Sequence, residues 1–251
     1  MHLILYFSLE YYLIFFNIII LHENRSYKKI KQHTAMTSNT LEPRFIAIEG
    51  CIGAGKTSLV DLLGKQFDVQ IIREVDSENP FIDKFYQDRD SYAFQTQMFF
   101  LLNRYNQYMN LTQRDLFSSV ALVDYLFHRD RLFAVLNLSD QELKLYDQVY
   151  SLLSSKVPKP DLVIFLQANS EVLRSRIEKR AREYEAFMDP DYLDNVNKTF
   201  NNFFFYYSET PLLVINTNEI DFVEKKCDLE ALIIKINSHK IGREYYNPLG
   251  S

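Results

Sequence analysis

An α/β fold, three layers deep around a five-stranded parallel sheet, is the architecture this sequence predicts, and two observations predict it. From Arg44 onward short β-branched runs alternate with longer helical stretches, the pattern of repeated strand-helix-strand units. Those runs are continuously apolar rather than alternating, as a sheet covered on both faces requires. The second observation is local. The run Phe45-Ile46-Ala47-Ile48 leads into Gly50-Cys51-Ile52-Gly53-Ala54-Gly55-Lys56-Thr57-Ser58, where three of the chain's six glycines fall within six residues.

Taken in order, the expected strands are 45–48, 69–72, 120–123, 162–166 and 212–215, and the expected helices 56–66, 91–110, 140–155, 170–184 and 192–207. The second strand ends in Arg73-Glu74, and the chain then turns through Pro80. In helix 91–110, Phe94, Met98, Leu101, Leu102, Tyr105 and Met109 keep helical spacing and are expected to face the core. Gln97, Phe100 and Arg104 share another face, two turns long and roughly 10 Å end to end. The third strand closes on Asp124. Pro158-Lys159-Pro160 stops the preceding helix and sets up the fourth strand. Arg174, Arg176, Lys179, Arg180 and Arg182 crowd the segment after it, and an aromatic-rich helix precedes the last strand.

The glycine-rich run matches G-x-x-x-x-G-K-[ST], a phosphate-binding P-loop, in the strand-then-helix context that makes the motif credible. Its glycines let successive backbone N–H groups turn inward around phosphate oxygens. Lys56 adds a point charge, and the Thr57 hydroxyl can ligate Mg²⁺. The helix opening at Lys56 aims its positive dipole end at the same anion. The fold expected is therefore P-loop NTPase-like, with an arginine-rich lid. Asp124 is a second Mg²⁺-side candidate, and an N-cap role would also account for it. Glu74, at the carboxyl end of a strand where ligands gather, is a candidate general base. A bidentate amide and a guanidinium flanking an aromatic, Gln97, Arg104 and Phe100, suit the edge of a nucleobase. The arginine cluster suits a lid that neutralises transition-state charge.

The composition narrows the partners. With 251 residues, 47% of them apolar, the chain can bury a single ordinary core. A formal charge of −5 argues against a nucleic-acid coat and suits a small anionic ligand. Two cysteines, Cys51 and Cys227, give neither a disulfide framework nor metal spacing, which points to a reducing, cytoplasmic setting.

Residues 1–43 read as an extension, apolar and then basic, dispensable to the domain at 44–240; residues 241–251 read as a tail. The stretch 3–21 is almost wholly apolar but carries Glu10 and Asn17, and Arg25, Lys28, Lys29 and Lys31 follow it. A translated leader ahead of Met36, a membrane anchor and an organelle-targeting segment are the readings it allows, the last two implying a membrane or mitochondrial location.

These segments together resemble the deoxynucleoside kinase family, most closely its bacterial-type deoxyguanosine and deoxyadenosine kinase branch. The likeness spans about 44–223 through FIAIEGCIGAGKTSL, ENPFIDKFYQD, YAFQTQMFFLLNRY, DYLFHRDRLFA, PDLVIFLQ, RIEKRAREYE and NTNEIDFV. It implies transfer of the ATP γ-phosphate to the 5′-hydroxyl of a deoxyribonucleoside, a purine by lean, with Mg²⁺, in a homodimer. By the same resemblance Glu74 is the base on the 5′-hydroxyl, and Tyr86 and Glu185 hold the 3′-hydroxyl. Gln97 and Arg104 read the nucleobase. Arg180 and Arg182 are lid arginines with Arg176 in support, and Asp221 and Phe222 pack on the adenine of ATP. The chain departs from animal members at Val123-Asp124-Tyr125, where they carry Glu-Arg-Ser, and at Arg129, which stands in for a base-side aspartate as though charges were exchanged with Asp124. Ala181 replaces a lid glycine.

Two other readings compete. A nucleoside monophosphate kinase also uses a P-loop and arginine lid, but needs further positive charge on its acceptor side. A non-catalytic nucleotide-binding accessory subunit would not need Lys56, Glu74 and the lid arginines together. A regulatory GTPase is disfavoured because Asn197-Lys198-Thr199-Phe200 lacks the aspartate of the guanine motif.

Overall fold

The computed structural model describes residues 41, 45–74, 79–113, 120–181 and 188–248, without the side chains of 112 and 113. The chain divides into two units, Met1–Thr40 and Leu41–Ser251; the first, with its expected leader or anchor, lies outside the described residues. Among the described residues no helix is long and apolar enough to cross a membrane.

The second unit is a parallel sheet with helices on both sides. Its strands are β1 (Phe45–Gly50), β2 (Val69–Ile72), β3 (Val120–Val123), β4 (Leu162–Gln167), β5 (Leu212–Asn216) and β6 (Arg243–Tyr246), in the order β2-β3-β1-β4-β5-β6. The helices are α1 (Lys56–Gln66), α2 (Ile82–Gln87), α3 (Arg89–Gln113), α4 (Arg129–Asn137), α5 (Asp140–Ser154), α6 (Ser170–Arg180), α7 (Pro190–Tyr206) and α8 (Lys226–Ser238).

Strand β1 lies between β3 and β4, pairing Ala47 with Val123 on one side and Gly50 with Leu166 on the other. The winding therefore reverses at β1, and the crevice outside the carboxyl ends of β1 and β3 is where a ligand enters such a sheet. Ile46, Ala47, Ile48, Leu122, Val163, Ile164, Leu213 and Ile215 are all fully buried, which is why these runs carry no polar alternation. Leu59, Val60 and Leu63 seal α1 against them.

The sheet has six strands, not five, and the sixth lies in the expected tail. Strand β6 pairs Leu212 with Arg243 and Ile215 with Tyr246. It is an edge strand in which Arg243 and Tyr245 face solvent, so Arg-Glu-Tyr-Tyr lacks the continuous apolar run by which the buried strands are recognised. On α3 the inner face is carried by Phe94, Met98, Leu101, Tyr105 and Tyr108. Leu102, expected inside, is 46% exposed, while Tyr108 is fully buried; the spacing 94, 98, 101, 105, 108 places residue 102 about 80° from the centre of that stripe. Helix α6 ends at Arg180 rather than 184, with Ala181 left-handed at φ 52° and ψ 46°.

Candidate active site

The phosphate loop is shaped by two glycines. Gly53 and Gly55 hold φ of 82° and 97°, and a Cβ on Gly53 would lie 2.8 Å from the Leu173 carbonyl, one on Gly55 3.0 Å from the Phe222 ring. Lys56, at the first turn of α1, donates from Nζ to the Gly50 and Cys51 carbonyls, both at 3.0 Å. Burial and the nearby Arg129 charge lower its pKa to about 8, against the pull of Glu49 and Asp124. Phosphate oxygens would supply the missing counter-charge. Arg176 holds the loop from α6, donating to the Thr217 carbonyl at 2.7 Å, the Thr217 hydroxyl at 3.0 Å and the Ala54 carbonyl at 3.4 Å.

Thr57 and Asp124 meet across the β1–β3 crevice, the Thr57 hydroxyl donating to Asp124 Oδ2 at 3.2 Å. The other oxygen of Asp124 accepts the Glu74 backbone N–H at 2.7 Å. Burial, with the Glu74 charge adding to it, pushes the Asp124 carboxyl up to about 6 despite that hydrogen bond. A hydroxyl and a carboxylate are hard oxygen donors, a set that fits Mg²⁺, which takes one or two protein ligands and completes its shell with phosphates and water. Among the described residues no group of three or more His, Cys, Asp or Glu could hold a metal. An ion here would have to be shared with a nucleotide.

Glu74 sits just beyond β2, bound by two arginines. Arg104 Nε donates to Glu74 Oε1 at 2.8 Å, its terminal nitrogen adds a second contact, and Arg129 Nε lies 3.4 Å from Oε2. Burial alone would raise this carboxyl, but the charges of Arg104 and Arg129 and the Arg104 hydrogen bonds outweigh it and hold Glu74 below the usual carboxylate range. It is therefore ionised at neutral pH, as a proton acceptor must be.

Each arginine is itself fixed from behind. Arg129 donates to Glu49 Oε1 at 2.6 Å and lies over the rings of Phe133 and Phe200. Glu49, fully buried at the end of β1, also accepts the Gly50 and Leu126 N–H groups, both at 2.8 Å. Arg104 bonds Asp130, which accepts the Tyr146 hydroxyl at 2.7 Å, and its guanidinium lies 4.9 Å from the centre of Phe100. Burial raises Asp130 to about 6, against the Arg104 charge and the Tyr146 hydrogen bond. Neither Glu49 nor Asp130 stood out in the sequence. Glu49 ends an apolar strand, and Asp130 lies in the charged run His128-Arg129-Asp130-Arg131, which reads as solvent-facing. A carboxylate does stand beside Arg104, and it is Asp130, the neighbour of the Arg129 assigned to that place.

These groups line one pocket enclosing about 860 Å³ of space open to solvent. Lys56, Thr57, Glu74, Tyr86, Gln97, Phe100, Arg104, Asp124, Arg129 and Arg180 all border it, as do Thr96, Phe133, Asn137 and Tyr192, which the sequence did not single out. A second pocket, lined by Gly53, Gly55, Ser58, Arg176, Lys179, Arg180, Asp221 and Phe222, adjoins it. Gly53 and Arg180 wall both. Tyr86, Gln97 and Arg104 thus border one chamber with Lys56 and Thr57, and Asp221 and Phe222 border the other. Arg182 and Glu185 lie outside the described residues.

Two chambers joined across a P-loop, with an ionised carboxylate on one side, define a nucleotide-dependent phosphotransferase. The chain belongs to the deoxynucleoside kinase family, whose signature it matches over residues 46–240. It is 35% identical over 193 residues to the deoxyguanosine kinase of Bacillus subtilis, covering 75% of this chain and 93% of that protein. It is 32% identical over 186 residues to the deoxyadenosine kinase of Dictyostelium discoideum, covering 72% and 75%. Among solved structures, deoxyadenosine kinase from M. mycoides with bound dATP superposes with a TM-score of 0.68 at 25% identity, covering 78% of this chain and all of that one.

Proposed function

We propose that this kinase transfers the γ-phosphoryl group of MgATP to the 5′-hydroxyl of a purine deoxyribonucleoside, deoxyguanosine ahead of deoxyadenosine, in nucleotide salvage. The observation that carries this reading is the ionised Glu74 facing the same pocket as Lys56, Thr57 and Asp124. Glu74 takes the 5′-hydroxyl proton as that oxygen attacks the γ-phosphorus, and the bond to the bridging oxygen of ADP breaks. Lys56 and Arg180 neutralise the charge in flight, with Arg182 from beyond α6. Phosphoryl transfer asks little covalent help, so positioning and charge dominate. Thr57 and Asp124 would hold Mg²⁺, which would supply positive charge against the phosphates when bound.

An alcohol suits this acceptor side better than a second phosphate, because Arg104 and Arg129 are already paired with Glu74, Asp130 and Glu49. Gln97, buried on α3 with Oε1 lacking a partner among the described residues, supports base reading. Tyr86 and Glu185 take the 3′-hydroxyl, and Asp221 and Phe222 flank the adenine of ATP. The lean to guanine rests on the Bacillus subtilis deoxyguanosine kinase among its relatives. A cytoplasmic homodimer is the form proposed, supported by the exposed Leu102 on α3 and Leu145 and Leu152 on α5.

The test offers radiolabelled ATP with each of the four deoxynucleosides and with deoxyguanosine monophosphate. Label should pass to deoxyguanosine first and deoxyadenosine second. Transfer to the monophosphate alone would overturn the reading.

A further inference from the structure

We propose that Asn137 is a specificity-determining residue that accepts a hydrogen bond from the 2-amino group of guanine. This deepens the purine reading and rests on it. Asn137 is the last residue of α4 and borders the pocket that holds Glu74 and Gln97. Its Nδ2 donates to the Tyr192 hydroxyl at 3.3 Å, which fixes the plane of the amide. Its Oδ1 is buried and has no hydrogen-bond partner among the described residues. Buried carbonyl oxygens are rarely left so, and one at the wall of a ligand pocket marks where a donor of the ligand belongs.

Two more such atoms border the same pocket, Gln97 Oε1 and Thr96 Oγ1, both on α3. Gln97 and Thr96 are 3% and 1% exposed, so water offers these side chains little in exchange. The amide oxygens of Gln97 and Asn137 are two acceptors awaiting two donors. Among the four bases guanine alone sets two donor groups side by side, N1–H and the 2-amino group. Adenine, cytosine and thymine each bring one to that edge. With Gln97 on N1–H, the 2-amino group is left for Asn137.

Deoxyinosine isolates the contact, since hypoxanthine keeps N1–H and O6 and lacks only the 2-amino group. The experiment measures kcat/KM for deoxyguanosine and deoxyinosine in the wild type, Asn137→Leu and Asn137→Asp. The ratio within one preparation does not depend on how much of it is folded. The wild type should favour deoxyguanosine by about tenfold or more, the scale at which a site built for a polar group rejects a ligand lacking it. Asn137→Leu should bring the ratio to near one, and Asn137→Asp, which keeps an acceptor oxygen, should preserve the preference. Equal use by the wild type, a preference surviving in Asn137→Leu, or its loss in Asn137→Asp would each overturn the assignment. Failure to phosphorylate any purine deoxynucleoside would instead remove the reading beneath it.

Discussion

At Glu74 two arginines do what bulk water does elsewhere, keeping a largely buried carboxylate charged. A carboxylate depressed in this way is ionised across neutral pH, at some cost in basicity. Glu74→Gln should lower kcat by about 10²-fold or more, the usual scale for a general base, with little change in KM for the nucleoside; initial rates under saturating ATP give the answer. The pH profile should be shaped by its neighbours. As pH falls through about 6, Asp124 protonates, and if it serves the cation as proposed, kcat/KM for ATP should drop. As pH rises through about 8, Lys56 loses its charge in the free enzyme and kcat/KM drops again. Bound phosphates favour the charged lysine, so the alkaline limb of kcat should lie above that of kcat/KM. Glu74, Lys56 and Gln97 were legible because a carboxylate at a strand end, a lysine closing a glycine turn and an amide on a helix face of this pattern each suit one kind of chemistry. Glu49 and Asp130 were not, because a buried carboxylate declares itself only through partners from other elements.

Among the elements, the first five strands and the P-loop helix were readable within a residue or two, since apolar runs and glycine spacing are local properties. Helices α2, α4 and α8 escaped because α2 is short, α4 opens on charged residues that pair inward, reversing the usual sense of amphipathic pattern, and α8 carries the unbroken apolar run Ala231-Leu232-Ile233-Ile234, which shows no helical period. Strand β6 escaped because it is half-exposed. The carboxyl end of α6 shows what a left-handed alanine at 181 entails. A left-handed residue closes the helix, and a Cβ there costs about 1–2 kcal/mol. Ala181→Gly relieves that cost but adds unfolded-state entropy, so a net gain of up to about 1 kcal/mol is expected. Thermal denaturation should show Tm rising by up to about 4 °C; a fall would mean that the alanine methyl makes a favourable contact outweighing the strain.

Across the whole molecule, one sheet supplies both chambers, and the reversal of winding at β1 puts the phosphate loop where they meet. Among the apolar residues left outside, Leu102, Leu145 and Leu152 on α3 and α5 and Phe205 and Tyr206 at the end of α7 are 46% to 70% exposed. Leu102, Leu145 and Leu152, exposed on the adjoining helices α3 and α5, suit a symmetric partner. Light scattering should give twice the mass of the 29.8 kDa chain, and Leu145→Glu with Leu152→Glu should halve it. One more consequence follows from the loop chemistry. Cys51 is 2% exposed and burial pushes its thiol up to about 12, whereas Cys227 near the start of α8 is exposed. A maleimide dye at neutral pH should therefore label Cys227 and spare the thiol inside the phosphate loop, setting a fluorophore next to Asp228, whose carboxylate accepts the Asp221 N–H at the edge of the second pocket.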